Sequence, residues 1–524
     1  MRAFRVTDRW FLAWALAFAP ALFVAWFLAL APTVDPDGLA YHLTVPKRWL
    51  EAGSLVYLPT YIYSNTPMGL EMLFMSGLAL GGDVAAKLVH FGLGVTAAIG
   101  LYLAGVRLRG PVTGILAPTA YLVGPAGVGS LLGCAYLEGG IALAMVGSVL
   151  AWLVWFRGGG MGFLRAAFLA SGIAASFKLT AILFPIALGA LTLVVLHERV
   201  GTRVVLDALG LVPFIALPVA PWFVRAAIVT GNPFFPLFAG IFPSRDYSPV
   251  MGARLEHYAR YFFWGSRLDW GLERRKILLA VVALVVAAAG AVAFFRLRTR
   301  AARAAAVVVA AIVLVQISAT GLYVRYWIPM LAVLCLPIFA LFEGVLTGAR
   351  QRVAVVAVTA LLSLYGARSN LASVGNDVGG LARAAFGLEE RRAFLARHIP
   401  LYPMYEHANR ELPPSSHILL TYYCGGFYLD RTTLCGEFIQ ESLRWTTWDV
   451  FAKDMAKLGV THVFAPKTFA EGGPAPPRLD KSSPSILLRP KQEEFLTRML
   501  RGHARLLISA SDQGLYEIEP LPEH

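Results

Sequence analysis

At 524 residues, 57% of them hydrophobic and only 15% charged, with a mean hydropathy of +0.62, the chain carries more apolar surface than one soluble core can hide. Soluble domains average about 25% charged residues. The formal net charge of +14 is dealt out as small groups of Arg and Lys between apolar runs, which excludes a nucleic-acid face and fits topology signals instead.

The first apolar run, Trp10 to Leu30, predicts a membrane span, since about 20 apolar residues cross the hydrocarbon as a helix. Arg2, Arg5 and Arg9 before it place the N-terminus in the cytoplasm by the positive-inside rule. Further spans are expected at 84–106, 111–128, 138–156, 162–177, 179–196, 204–229, 277–295, 304–322, 327–347 and 353–368, about eleven in all. Their alternation returns Arg107, Arg109, Arg157, Arg199, Arg203, Arg296, Arg350 and Arg352 to the cytoplasm.

Two loops on the outer side are long. The first, 32–83, contains Pro46 and then Lys47 to Ala52 and Gly53, which predicts a short helix with Pro in its first turn and Gly at its end. Met68 to Leu80 is apolar but short, and reads as a separate helix lying on or dipping into the bilayer. The second loop, 230–276, holds seven Arg or Lys against four Asp or Glu from Arg245 onward.

An odd number of spans puts the tail outside. There, His417 to Tyr423 and Val460 to Ala465 read as strands, Trp448 to Leu458 as an amphipathic helix stopped at Gly459, and Leu506 to Ser509 with Leu515 to Glu519 as a hairpin. Cys424 and Cys435 share this tail and are expected to pair in an oxidising space. None of the four cysteines has zinc-site spacing.

The residues able to carry chemistry fall on the outer side of this topology. Asp35 and Asp37 follow the first span. A carboxylate there can take a proton from a hydroxyl or hold a divalent ion such as Mg or Mn, and it can equally form a solvated turn. His42 suits a metal ligand or a hydrogen-bonded structural residue. Glu138 and Lys178 are ionisable groups at membrane depth, where charges are paired, snorkelled or functional; Glu138 could also simply open a helix. Arg325, between Tyr323 and Tyr326, has the fork that binds phosphate through two parallel hydrogen bonds, and it would also serve as an interface anchor.

Asp37-x-x-x-Tyr41-His42-x-x-x-Pro46-Lys47, followed by Tyr63-Ser64-Asn65-x-Pro67-x-x-x-Glu71-Met72, resembles the first outer loop of bacterial GT-C membrane glycosyltransferases, relatives of protein O-mannosyltransferases and aminoarabinose transferases. Ala135-Tyr136-x-Glu138, Phe177-Lys178-x-Thr180, Thr230-Gly231-Asn232-Pro233 with Pro236, and Arg325-Tyr326-x-x-Pro329 are similar to family segments in the same order. The resemblance covers roughly 10 to 345 and implies a polyprenyl-phosphate sugar donor with Asp37 as the catalytic carboxylate. It further implies Glu138 as a second acid, where many relatives have Asp, and substrate contacts at Tyr41, His42, Asn65, Lys178, Asn232, Arg325 and Tyr326.

The expected architecture is an all-α polytopic membrane protein of GT-C type, residues 1–369, with an extracytoplasmic α/β domain over 370–524, in the bacterial cytoplasmic membrane. Its expected activity is inverting transfer of a hexosyl or pentosyl group from the lipid-linked donor to a glycan, lipid or protein acceptor, with membrane lipid around it. No cofactor is demanded by the sequence beyond the divalent cation that the carboxylates could hold. The rival is a transporter or flippase for an anionic or lipid-linked substrate, against which stands the lack of a repeated half.

Overall fold

The computed structural model describes residues 9–123, 131–200, 208–238, 241–244, 324–340, 342–344, 346, 348–372, 377–421, 424–436, 445–471 and 490–521. Six helices among them are long and apolar enough to cross a bilayer: Arg9–Leu30, Gly69–Leu108, Glu138–Phe156, Leu179–His197, Val212–Thr230 and Ala349–Ala372. Pro111–Val123 and Met161–Phe177 are apolar but shorter. The chain is an integral membrane protein. The run expected to span 327–347 forms the helix Val324–Ala340. The expected spans 277–295 and 304–322, and the basic part of the second loop, lie outside the described residues.

One local expectation holds. Met68 to Leu80 forms a helix of its own: the range Gly69–Leu108 is two helices joined at a kink, with non-helical backbone at Gly81 and Gly82. Gly82 has φ 69°, a conformation that costs glycine no Cβ clash, so the pair separates the short outer helix from the span that follows. Lys178 breaks the chain as expected. Its extended backbone closes the helix Met161–Phe177, and a single tight turn, Leu179–Ile182, leads into Leu183–Val200.

The chain divides into two compact units. One unit gathers residues up to Ala29, Lys87 to Pro221, and the described part of Phe263–Val378. Its core is aromatic and aliphatic, with Phe18, Leu101, Tyr102, Ile115 and Tyr121 at 0–1% exposure. Trp14 stacks on Tyr102 at 5.6 Å. Gly105 and Gly114 let two helices touch through backbone, since a Cβ on Gly105 would come within 2.7 Å of Gly114.

The other unit joins Leu30–Ala86, the described part of Trp222–Phe262, and Gly379–His524, so the first outer loop belongs with the tail. Strands β1 (His417–Leu420), β2 (Thr432–Cys435), β3 (His462–Pro466), β4 (Ala504–Ala510) and β5 (Gln513–Ile518) form one sheet in the order β2-β1-β3-β5-β4. The first three are parallel, and β5 runs antiparallel to β3 and β4. The amphipathic segment is the helix Trp448–Lys457, capped by Thr447 and followed by Gly459 at φ 64°. It packs Phe451 and Met455 with Val463, Met499 and Tyr516.

Loop and tail are tied by polar groups as well. Asp83, with a side chain 4% exposed, accepts from Thr33 N at 2.7 Å and pairs with Arg391 at 2.7 Å. Tyr428 donates to Thr33 O at 2.7 Å, and burial, then the Asp83 carboxylate, push its phenol well above 10, so the donor stays protonated. Cys424 and Cys435 are bridged and pack with Ile62, Ala226 and Phe235.

Candidate active site

The two aspartates after the first span have different jobs. Asp35 is buried, and its Oδ1 accepts from Gly38 N at 2.7 Å, capping the wide helical turn Gly38–His42. A Cβ on residue 38 would collide with that carboxylate unless the Asp35 side chain moved. Asp37 is partly exposed and its side chain does not cap the turn; its Oδ2 accepts from the Tyr41 phenol at 3.3 Å. The partly exposed carboxylate of Asp37 can be reached from outside the turn, whereas that of Asp35 is buried.

Aromatic packing fixes the turn. Tyr41 stacks on Tyr63 at 4.3 Å and its ring lies 4.1 Å from that of His42. His42 Nδ1 lies 2.8 Å from Glu71 Oε1, with both side chains at 1–2% exposure. Buried polar groups are retained when they bond one another, so this pair anchors the turn to the start of helix Gly69–Leu108. Asn65 is 2% exposed and its Oδ1 accepts from Ser64 Oγ at 3.4 Å, while its Nδ2 finds no hydrogen-bond partner among the described residues.

Arg225 went unnoticed in the sequence. It stands in helix Val212–Thr230, donates to Ser64 O at 2.6 Å and Val56 O at 3.2 Å, and lies 5.1 Å over the Trp49 ring. A lone arginine inside an apolar run is the signal that could have found it, because a charge at membrane depth needs a partner. Asn232, expected to touch substrate, uses its amide within its own turn: Nδ2 donates to Leu237 O at 2.8 Å and Oδ1 accepts from Phe234 N at 2.9 Å.

In the unit built on Lys87–Pro221, Glu138 opens the helix Glu138–Phe156 and is 1% exposed. Its Oε1 lies 3.3 Å from Lys178 Nζ, so two residues 40 apart in sequence form the pair that a low-dielectric surrounding requires. Beside it, His90 is held as a neutral ring. Its Nδ1 donates to Cys134 O at 2.9 Å and its Nε2 accepts from Gly139 N at 3.0 Å. His90 too escaped the sequence reading. Arg325 and Tyr326 lie in the first turn of helix Val324–Ala340, and their side chains fall outside the described residues.

The structure brings Asp37, Tyr41 and His42 together in one unit, and Glu138 with Lys178 in the other. No group of three His, Cys, Asp or Glu side chains that could hold a metal gathers among the described residues. Asp35 accepts from Gly38 N and Glu71 faces His42.

No protein-family model matches the sequence, and no curated protein matches it either. Solved structures do. The chain is similar to ArnT from Cupriavidus metallidurans bound to undecaprenyl phosphate, with 15% identity and a TM-score of 0.59 over 96% of this chain and 97% of that one. It is also similar to the apo state of that protein, with 17% identity and a TM-score of 0.50 over the same shares. The chain therefore has the fold of ArnT, an aminoarabinose transferase, which is the GT-C fold.

Proposed function

We propose that this protein is a membrane glycosyltransferase that moves a sugar from a polyprenyl-phosphate donor to an acceptor outside the cytoplasm, with inversion. The observation that carries the reading is the ArnT-like fold, in which the partly exposed Asp37 stands in the turn after the first span and accepts from the Tyr41 phenol. An ArnT-like fold whose crystal structure holds undecaprenyl phosphate supports the donor class.

In this reading Asp37 takes the proton of an acceptor hydroxyl as that oxygen bonds to the anomeric carbon. The bond from that carbon to the phosphate oxygen breaks, and polyprenyl phosphate leaves with the electron pair. Direct displacement inverts the centre. Tyr41 and His42 shape the turn that presents Asp37. Lys178, Arg325 and Tyr326 meet the donor phosphate, with Glu138 orienting Lys178, because charge-assisted hydrogen bonds hold such a group best. The tail lies on the extracytoplasmic side.

The test is Asp37→Asn. Asn keeps size and turn preference and removes the basicity, so transfer from a panel of radiolabelled polyprenyl-phosphate sugars should fall roughly 100-fold to 10,000-fold, with donor binding nearly intact. Asp35→Asn still offers Gly38 N an acceptor and should stay within a few fold. Transfer by the Asp37 variant within a few fold of the unmodified protein would remove the proposal.

A further inference from the structure

Lys47 lies in the short helix that the sequence predicts after Pro46, and besides Glu51 on that helix at 3.8 Å its ammonium is engaged by the tail. Nζ lies 2.9 Å from Phe427 O, 3.1 Å from Leu429 O and 2.8 Å from Asp430 Oδ1. Three donors meet three acceptors on four consecutive residues, 427–430, and the cation also stands 5.7 Å from the Phe427 ring. A lysine ammonium has three protons, so this site uses its whole donor capacity.

The same tail segment reaches the turn that carries Asp37. Phe427 N donates to Leu39 O at 3.3 Å, and Leu39 lies inside the turn Gly38–His42. Thr44 Oγ1 donates to that same carbonyl at 2.6 Å. Arg48 adds bonds to Leu429 O at 3.0 Å and Arg431 O at 2.7 Å. Leu39 is two residues from Asp37 and Lys47 is ten, so the segment 427–431 grips the Asp37 turn from within and from the helix Thr44–Ala52 that follows it.

A wide helical turn is irregular backbone, held by its surroundings more than by its own bonds. Geometry at a catalytic group matters at the level of about 1 Å, where a misplacement costs on the order of 100-fold. From these contacts we infer that Lys47 is a positioning residue for Asp37: by locking tail residues 427–430 onto the Asp37 turn, it makes the tail part of the catalytic machinery. This rests on the reading of Asp37 as the base. Lys47 acts through backbone, and the donor phosphate is bound without it.

Lys47→Met keeps the apolar stem and removes the three bonds. In the full-length protein in detergent, turnover is measured per donor-binding site, counted with a radiolabelled polyprenyl-phosphate sugar, so that misfolded protein drops out of the ratio. The expected result is a loss of tenfold or more in turnover per site with donor Kd within twofold, and recovery of at least part of the loss in Lys47→Arg. Turnover per site within twofold of the unmodified protein overturns the inference. So does a tenfold weakening of donor binding, since Lys47 would then be touching the donor. Asp430→Ala removes one partner from an exposed position and is expected to lower turnover per site about twofold to fivefold. If Lys47→Met yields no folded protein, this variant decides, and unchanged turnover in it overturns the inference. Asp37→Asn run in parallel separates the two ideas: an active Asp37 variant sinks the underlying reading, whereas an inactive one beside an unimpaired Lys47→Met sinks only the positioning role.

Discussion

Asp83→Ala tests how the first outer loop is held to the tail. The carboxylate, 4% exposed, accepts from Thr33 N and from Arg391, each at 2.7 Å. Arg391 is 46% exposed, so its guanidinium rehydrates when Asp83 is removed and the loss there is about 1 kcal/mol. Thr33 is fully buried, and its N–H, left without that acceptor, costs about 1–3 kcal/mol. Tyr428 keeps Thr33 O at 2.7 Å and adds little. The sum is about 3 kcal/mol, which corresponds to roughly a 150-fold rise in the opening equilibrium. Hydrogen exchange followed by mass spectrometry reads it as faster exchange of peptides covering residues 30–35 and 424–436. Arg505→Ala is the comparison, because its pair with Glu517 is shorter, 2.6 Å, but lies in solvent at 70% and 43% exposure; exchange should hardly change. A rise below threefold in the Asp83 variant, or an equal effect in both, would refute the claim that burial rather than distance makes this contact matter.

Two further outcomes are expected. Lys178→Gln removes the cation facing the buried Glu138 carboxylate and should lower thermal stability by roughly 3 kcal/mol. Lys178→Gln with Glu138→Gln should regain most of that stability while donor binding stays weak; full recovery of donor binding in the double variant would make the pair a structural anchor. For topology, Lys457→Cys, with Cys134 and Cys335 replaced by Ser and the tail disulfide retained, should react with an impermeant thiol reagent in intact cells, and protection until the membrane is opened would place the tail in the cytoplasm.

The long apolar runs were legible because a span is set by local composition: helix Arg9–Leu30 and the break at Lys178 need no distant partner to be read. The tail hairpin, the helix ended at Gly459 and the pairing of Cys424 with Cys435 were readable for the same reason, since turn and cap chemistry acts over a few residues. The strand Thr432–Cys435 was not, because four residues give no period and its place beside β1 comes from pairing.

At the candidate site the sequence marked Asp37, Tyr41, His42, Glu138 and Lys178 but left their roles open. Asp35 is buried and accepts from Gly38 N while Asp37 is partly exposed and accepts from the Tyr41 phenol, and what joins Glu138 to Lys178 is a contact across 40 residues. Composition and hydropathy, sums over neighbouring residues, were enough to make this a membrane protein with a folded tail. Only the tertiary structure could decide that Lys47 and Asp83 bind the tail to the Asp37 loop, because hydrogen bonds between residues more than 300 positions apart leave no periodic trace in the chain.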